Sequence, residues 1–315
     1  MSSQIGFERA EEALALGEPG GSPVADTIGV GQWRQVVRRY RRNVPAMIAL
    51  GFVVLLFLIA VFGSFLEPQN PSSIPHRPTI NAGPSAAHWL GTDDVGRDLF
   101  SRLIEGTKAS MEVGSLVVLI ATAIALPLGL IAGYAGRWID AAIMRVMDAL
   151  FTFPPLTLAL AVAALLGPNI TNASIAIGIV FIPGFVRLIR SQVLSVREET
   201  FIEASRSVGV GPVRMVRKHV LPNVVSPLIV QVALAFGYAL LSEAGLSFLG
   251  LGVQDPPHAS WGTMLQHAYN YMLDKPWGMI PPGVAIALAV LAFNLVGDGL
   301  RDSLGREVYK VKAES

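Results

Sequence analysis

The sequence predicts an all-α membrane protein with six transmembrane helices and both chain ends on the cytoplasmic side. Three observations carry this. Of its 315 residues, 52% are hydrophobic and only 15% charged, and the mean hydropathy is +0.52, too apolar for a soluble chain of that length. Charge-free runs long enough to cross a hydrocarbon core of roughly 30 Å, at about 1.5 Å per helical residue, recur along it. The 24 Lys and Arg are also unevenly spread: with the N-terminus inside, only Arg77, Arg97, Arg102, Lys108 and Lys275 fall outside, and all the others fall on the cytoplasmic side.

Composition also removes several functions. With no cysteine, a disulfide framework, a thiolate nucleophile and a Cys-based metal site are all excluded. His76, His88, His219, His258 and His267 fall in predicted loops without His-Glu-x-x-His spacing, and no Gly-x-Ser-x-Gly or phosphate-cradling Gly-x-x-x-x-Gly-Lys-Ser/Thr occurs. The chain therefore reads as a non-enzyme, with no catalytic, metal or cofactor-binding residues assigned.

In order, residues 1–30 read as a disordered cytoplasmic tail around Gly17-Glu18-Pro19-Gly20-Gly21. Residues 31–43 carry Arg34, Arg38, Arg39, Arg41 and Arg42 beside apolar positions, an interfacial helix on membrane lipid; a basic run directly before an apolar span is a topology anchor, not a nucleic-acid patch. Residues 44–66 form the first span, an uncleaved anchor. Residues 67–108 form an external loop, proline-rich at first, then a short capped amphipathic helix along Asp93 to Gly106, with Val95, Leu99 and Leu103 on one face. Residues 109–300 hold the remaining spans: Val113 to Gly136, two within Ala149 to Val186 broken at Gly167-Pro168-Asn169, most of Val220 to Ser242, and Pro276 to Gly297. Between the last two, a short helix is predicted from Thr263 to Tyr271, and Trp261, Tyr269, Tyr271 and Trp277 fit an interfacial aromatic belt. Residues 301–315 are a cytoplasmic tail.

Within the spans, Pro127, Pro154-Pro155, Pro183 and Pro227 interrupt helical hydrogen bonding and predict kinks. Asp148, three residues from Arg145, can pair with it on one helix face near the inner end of span three. Glu243 lies near the outer end of span five. An ionisable residue there is a candidate for an intramembrane or gating role, or a buried anchor bonded to a neighbouring helix.

The one long polar, helix-capable stretch between spans runs from Arg197 to Asn223. Glu198, Glu199 and Glu203 come early and Arg206 late, in the sense of the helix dipole. Gly209 permits a left-handed exit, and Pro212 can open a second short helix with Arg214, Arg217 and Lys218 before Leu221-Pro222. Two short helices meeting at a glycine on the cytoplasmic face make either a knob that a soluble partner can grip or an ordinary amphipathic inner loop.

A resemblance separates these two. Glu203-Ala204-Ser205, then Gly209, then Leu221-Pro222 resembles the EAA motif of permease subunits from bacterial ABC importers that use a binding protein, with Ser205 in place of the second alanine. Leu90-Gly91-Thr92-Asp93-Asp94-Val95-Gly96-Arg97-Asp98-Leu99-Phe100-Ser101-Arg102, Glu243-Ala244-Gly245-Leu246-Ser247-Phe248-Leu249-Gly250-Leu251-Gly252 and Gly297-Asp298-Gly299-Leu300-Arg301-Asp302 narrow the likeness to the C-type permease of the dipeptide/oligopeptide/nickel importer family.

The resemblance implies a type I ABC importer permease fold in a bacterial inner membrane. It implies that Glu203, Ala204, Ser205, Gly209, Leu221 and Pro222, within coupling helices at 197–222, seat on an ATPase subunit. Its implied partners are a second homologous permease forming a heterodimer, two ATP-binding cassette ATPase subunits that carry ATP and Mg, and an extracytoplasmic substrate-binding protein. The implied cargo is di- or oligopeptides, with nickel or glutathione-type import as alternatives. From another class, a self-sufficient secondary transporter would need charged or broken helices at mid-membrane, and the centres of these spans are nearly charge-free.

Overall fold

The protein, seen in a computed structural model, is described over residues 30–75, 79–256 and 258–313, with side chains described for residues 34–75, 79–256 and 258–304. The tail predicted for residues 1–30 lies outside these as far as residue 29, and so do the last two residues of the 301–315 tail.

The described residues are helical throughout their regular structure. Helix α1 (Val30–Tyr40) turns at Asn43 into α2 (Val44–Phe62). Asn43 caps α2, its side chain accepting from the Ala46 amide at 3.2 Å, and Pro45 sits in the first turn where no amide is needed. After a 3₁₀ turn and an extended outer segment come α3 (Leu99–Ala135), α4 (Arg137–Phe151), α5 (Pro155–Leu166) and α6 (Ile170–Arg197). Two short helices, α7 (Thr200–Ser207) and α8 (Pro212–Met215), precede α9 (Leu221–Phe248), α10 (Trp261–Tyr269) and α11 (Ile280–Ala313). Among the described residues five helices are long and apolar enough to cross a membrane, and α4 with α5, bent by 90°, makes a sixth where the bent pair is counted as one span. The bend falls at Pro154-Pro155: neither residue donates an amide, and the position before a proline avoids the helical region.

Three features differ from the sequence expectations. The span predicted to begin at Ala149 begins at Arg137 and is broken at its elbow. The outer stretch Asp93 to Gly106 is not a separate surface helix: Asp98 accepts from Ser101 N at 2.9 Å and so caps α3, which then runs 37 residues without interruption. The helix placed at Thr263 to Tyr271 starts at Trp261, where Ser260 and Thr263 form a reciprocal capping box.

The core forms where α3 and α6 lie side by side. Gly129 and Gly133, one helical turn apart on α3, let the two backbones approach: a Cβ on Gly129 would come 2.6 Å from Ile189 Cβ, and one on Gly133 would come 2.6 Å from Val193 Cβ. This is the small-x-x-x-small pattern of helix pairs in lipid, where close packing replaces the hydrophobic drive. Helices α9 and α11 meet through stacked Phe236 and Phe293, 4.1 Å between ring centroids, with Phe57 of α2 edge-on to both. Tyr40 of α1 bonds the Ala46 carbonyl at 3.2 Å and packs beside Gly299 of α11. The N-terminal helix and the C-terminal part of the last span therefore meet at the same end of the bundle.

Candidate functional site

The polar stretch after α6 folds as a protruding double helix. Arg197, the last residue of α6, donates to the Gly133 carbonyl at 2.7 Å and so ties the base of the knob to α3. Glu198 and Glu199 break the helix, and α7 begins at Thr200. Gly209 has φ +80°, with its amide on Arg206 O at 2.9 Å and the Val210 amide on Ser205 O at 3.1 Å. This is the paired carbonyl capping that a left-handed glycine provides at a helix end. Pro212 then opens α8, which passes through a π-type turn at Val216–Val220 into α9, so that the second short helix and span five are continuous. Leu221 and Pro222 are the first residues of α9.

Ile202, Met215 and Val220 are completely buried and pin the knob from below. Its outer side is open: Glu203, Ala204, Arg206, Arg214, Arg217 and Lys218 are exposed, and Val208 and Val213 stand out at 79% and 72% exposure. Ser205 turns its hydroxyl back onto the Phe201 carbonyl at 2.7 Å, so the hydroxyl adds no free donor to that face. Among the described residues the Glu203 carboxylate makes no ion pair. An exposed acid, a basic rim and two exposed valines lie together on this outer side.

Asp148 does not pair with Arg145. Its carboxylate meets Arg187 of α6 at 2.7 Å, and Arg187 lies 4.1 Å over the Phe151 ring. Arg145, pointing along the exposed side of α4, has no ion-pair partner among the described residues. A second bridge, Arg190 to Asp140 with bonds of 2.5 and 2.6 Å, fastens the beginning of α4 to α6. Helix α4 is thus fastened to α6 by two ion pairs that sequence spacing could not reveal.

Glu243 is completely buried. Its carboxylate accepts from Ser110 of α3 at 3.2 Å and from Ser247 at 2.7 Å, and Ser247 in turn accepts the Val253 amide at 2.9 Å. The residue joins α3, α9 and the loop that follows α9, which is the geometry of a buried anchor.

The sequence reading missed a charged cluster at the outer mouth. Arg97 bridges Asp93 at 2.6 Å and Asp255 at 2.9 Å, while Arg102 reaches Asp93 at 3.3 Å and also bonds Asp255. His267 of α10 lies between two carboxylates, Asp94 at 3.1 Å and Asp255 at 3.3 Å. Asp255 and then Asp94 push the His267 imidazole up to about 9 against the effect of burial. Burial alone would raise Asp255, but His267, Arg102 and Arg97 hold it well below the usual carboxylate range. Trp261, expected in an aromatic belt, is buried against Gly106 and donates to the Leu103 carbonyl at 3.3 Å. The alternation of Asp and Arg in Asp93–Arg102 was the available signal, but its partners Asp255 and His267 lie more than 150 residues further on.

The fold is a multi-spanning helical bundle with an open, polar knob at one end. Residues 125–310 match the family described as binding-protein-dependent transport system inner membrane component, and residues 31–84 match the N-terminal TM domain of oligopeptide transport permease C. The chain belongs to this family of ABC importer permeases and is a multi-pass inner-membrane protein.

Among curated relatives, the dipeptide transport system permease protein DppC of Alkalihalophilus pseudofirmus is 44% identical over 92% of this chain and 95% of its own length. The glutathione transport system permease protein GsiD of Pectobacterium atrosepticum is 44% identical over 86% of this chain and 90% of its own. Of solved structures, an inward-facing MetNI methionine ABC transporter chain aligns with a TM-score of 0.54 and 18% identity, over 65% of this chain and 97% of that one, a likeness of fold.

Proposed function

We propose that this chain is the C-type permease subunit of an ATP-driven importer of di- or oligopeptides, forming half of the translocation path with a second homologous permease. The observation that carries the reading is the knob, with Glu203 exposed and without an ion pair among the described residues, beside Ala204 and Gly209. Its partners are two ATPase subunits that bind ATP with Mg and hydrolyse it, while this chain binds neither; an extracytoplasmic binding protein delivers the cargo. The names of the curated relatives, one a dipeptide and one a glutathione permease, support small peptides as the cargo class.

Coupling follows from chain continuity. Helix α7 is separated from α6 by two residues, and α8 runs into α9 without a break. When the ATPases close on ATP, displacement of the knob moves the inner ends of both spans, since Ile202, Met215 and Val220 leave it no slack. Pro127, Pro183 and Pro227 lie inside α3, α6 and α9, where each removes one helical hydrogen bond and allows the span to bend. Glu203 would pair with a basic residue in the ATPase groove, Ala204 and Ser205 would allow close approach, and Gly209 with Leu221-Pro222 would set the exit into α9.

Uptake of labelled dipeptide into vesicles containing the reconstituted complex and its binding protein tests this. Dependence on ATP and on the binding protein is the expected result. Uptake driven by an ion gradient by this chain alone would overturn it. Competition by glutathione at equal potency would move the cargo to the glutathione-type alternative.

A further inference from the structure

Helix α1 is basic on one side and docked on the other. At about 100° per residue, Arg34, Arg38, Arg41 and Arg42 fall within an arc of about 100°, while Val36 and Tyr40 fall on the opposite side. The helical turn continues past Tyr40, with the Arg41 amide on Val37 O and the Arg42 amide on Arg39 O, both at 3.0 Å, which keeps the last two arginines in register. Val36 and Tyr40 are buried, Tyr40 beside Gly299 of α11, so the orientation of the helix is set by its docked side. All four arginines of the other face are exposed, and none of their side chains makes an ion pair or hydrogen bond among the described residues. Residues 30–43 contain no acid.

Like charges at helical i, i+4 spacing repel, so an external counter-charge would stabilise this face. Its depth is set by the next helix: α2 starts at Val44, and Val44 and Ile48 are 63% and 70% exposed on its first turns, as lipid-facing side chains are. The arginines therefore lie at the level where the inner leaflet changes from acyl chain to headgroup, and their long stems can reach that layer.

We propose that the Arg34, Arg38, Arg41 and Arg42 face of α1 is a binding site for anionic phospholipid headgroups of the inner leaflet. Occupied, it holds α1 against α11 and so braces the inner end of the last span. Charge complementarity and the adjoining lipid-exposed turn of α2 favour lipid over an acidic protein surface.

The chain has no cysteine, so Val37→Cys, at an exposed position beside the face, gives it a single labelling site. The full-length chain with a nitroxide there is reconstituted in vesicles of phosphatidylcholine alone or with added phosphatidylglycerol, and collision with a water-soluble nickel reagent is measured. Phosphatidylglycerol is expected to shield the label, an effect that high salt weakens. Each arginine removed should lower the apparent affinity for phosphatidylglycerol roughly fivefold. The fourfold Arg→Lys variant should keep most of the response, the fourfold Arg→Gln variant should lose it, and protease accessibility of the C-terminus confirms that each variant keeps its topology. Equal shielding in both vesicle types, or a full response in the Gln variant, overturns the proposal. So does a Gln variant that retains the lipid response yet no longer holds its ATPase subunits, since the face would then serve a protein.

Discussion

Asp255, in the loop after α9, accepts a hydrogen bond from Arg97 at 2.9 Å, although the two are 158 residues apart and neither side chain is more than 5% exposed. The same carboxylate also binds Arg102 and His267. One residue thereby ties the turn before α3, the outer end of α3 and α10 into a single outer cap. Removing one member of a buried ion network leaves the others charged and unpaired, at a cost of about 3–5 kcal/mol. Asp255→Ala is expected to lower the thermal unfolding temperature of the purified protein and to expose the outer loops to protease, while the inner knob keeps its protection.

The cap should also depend on pH, with opposite signs at its two ends. His267, ordinarily at 6.5, is raised to about 9; its contribution is complete below about pH 6.5 and is lost as pH rises through about 9. Asp94, held down first by its hydrogen bond to His267, and Asp255, held down by His267 and the arginines, contribute above the ordinary carboxylate range and are lost in acid. Outer-loop protection measured across pH should form a plateau, and His267→Gln should remove its alkaline edge. An alkaline edge unchanged in that variant would contradict the assignment.

At the knob, Glu203 is exposed and its carboxylate makes no ion pair among the described residues, so Glu203→Lys should leave expression and membrane insertion unchanged and stability within about 0.5 kcal/mol of the parent. Transport should be abolished and the ATPase subunits held more loosely in pull-down. Full uptake by this variant would refute the role proposed for the carboxylate.

The close approach of α3 and α6 rests on Gly129 and Gly133. Gly133→Leu places a branched side chain where a Cβ alone would lie 2.6 Å from Val193 Cβ, and overpacking of this kind costs about 1–3 kcal/mol or more. A lower unfolding temperature with proteolysis near Gly133 and Val193 is expected. Gly184→Ala, inside α6 with no atom within 4 Å of its Cβ position and no positive φ, serves as the uncrowded comparison.

Glu243 offers a test of anchor against gate. Glu243→Gln keeps the shape and one acceptor for Ser110 and Ser247, whereas Glu243→Leu leaves both hydroxyls without their partner, at about 1–3 kcal/mol. An anchor predicts that Gln retains most transport and Leu destabilises the fold. A gate that moves charge or protons predicts that Gln stops transport in a stable protein.

Much of the architecture was legible because each cue is local. Val44 to Leu66 reads as a span from its own side chains, the arginine asymmetry orients it, and Gly209 announces a left-handed turn that Ser205 and Arg206 accept within the same helix end. The Pro154-Pro155 pair signalled a break. Its 90° angle did not follow, because the direction of α4 depends on contacts with another helix, among them Asp140 and Asp148 on Arg190 and Arg187.

By itself the sequence determined the solvent, the order of the apolar helices, the polar stretch that forms the knob, and the family, because hydrophobicity, charge and turn chemistry act along the chain. Only the tertiary structure decided which charges meet. It moved Asp148 from Arg145 to Arg187, buried Trp261 beneath the outer cap, enclosed Glu243 among serines and brought Asp255 to Arg97. Such choices depend on distances between residues far apart in sequence, and inside a low-dielectric fold a charge takes the partner that packing brings within reach.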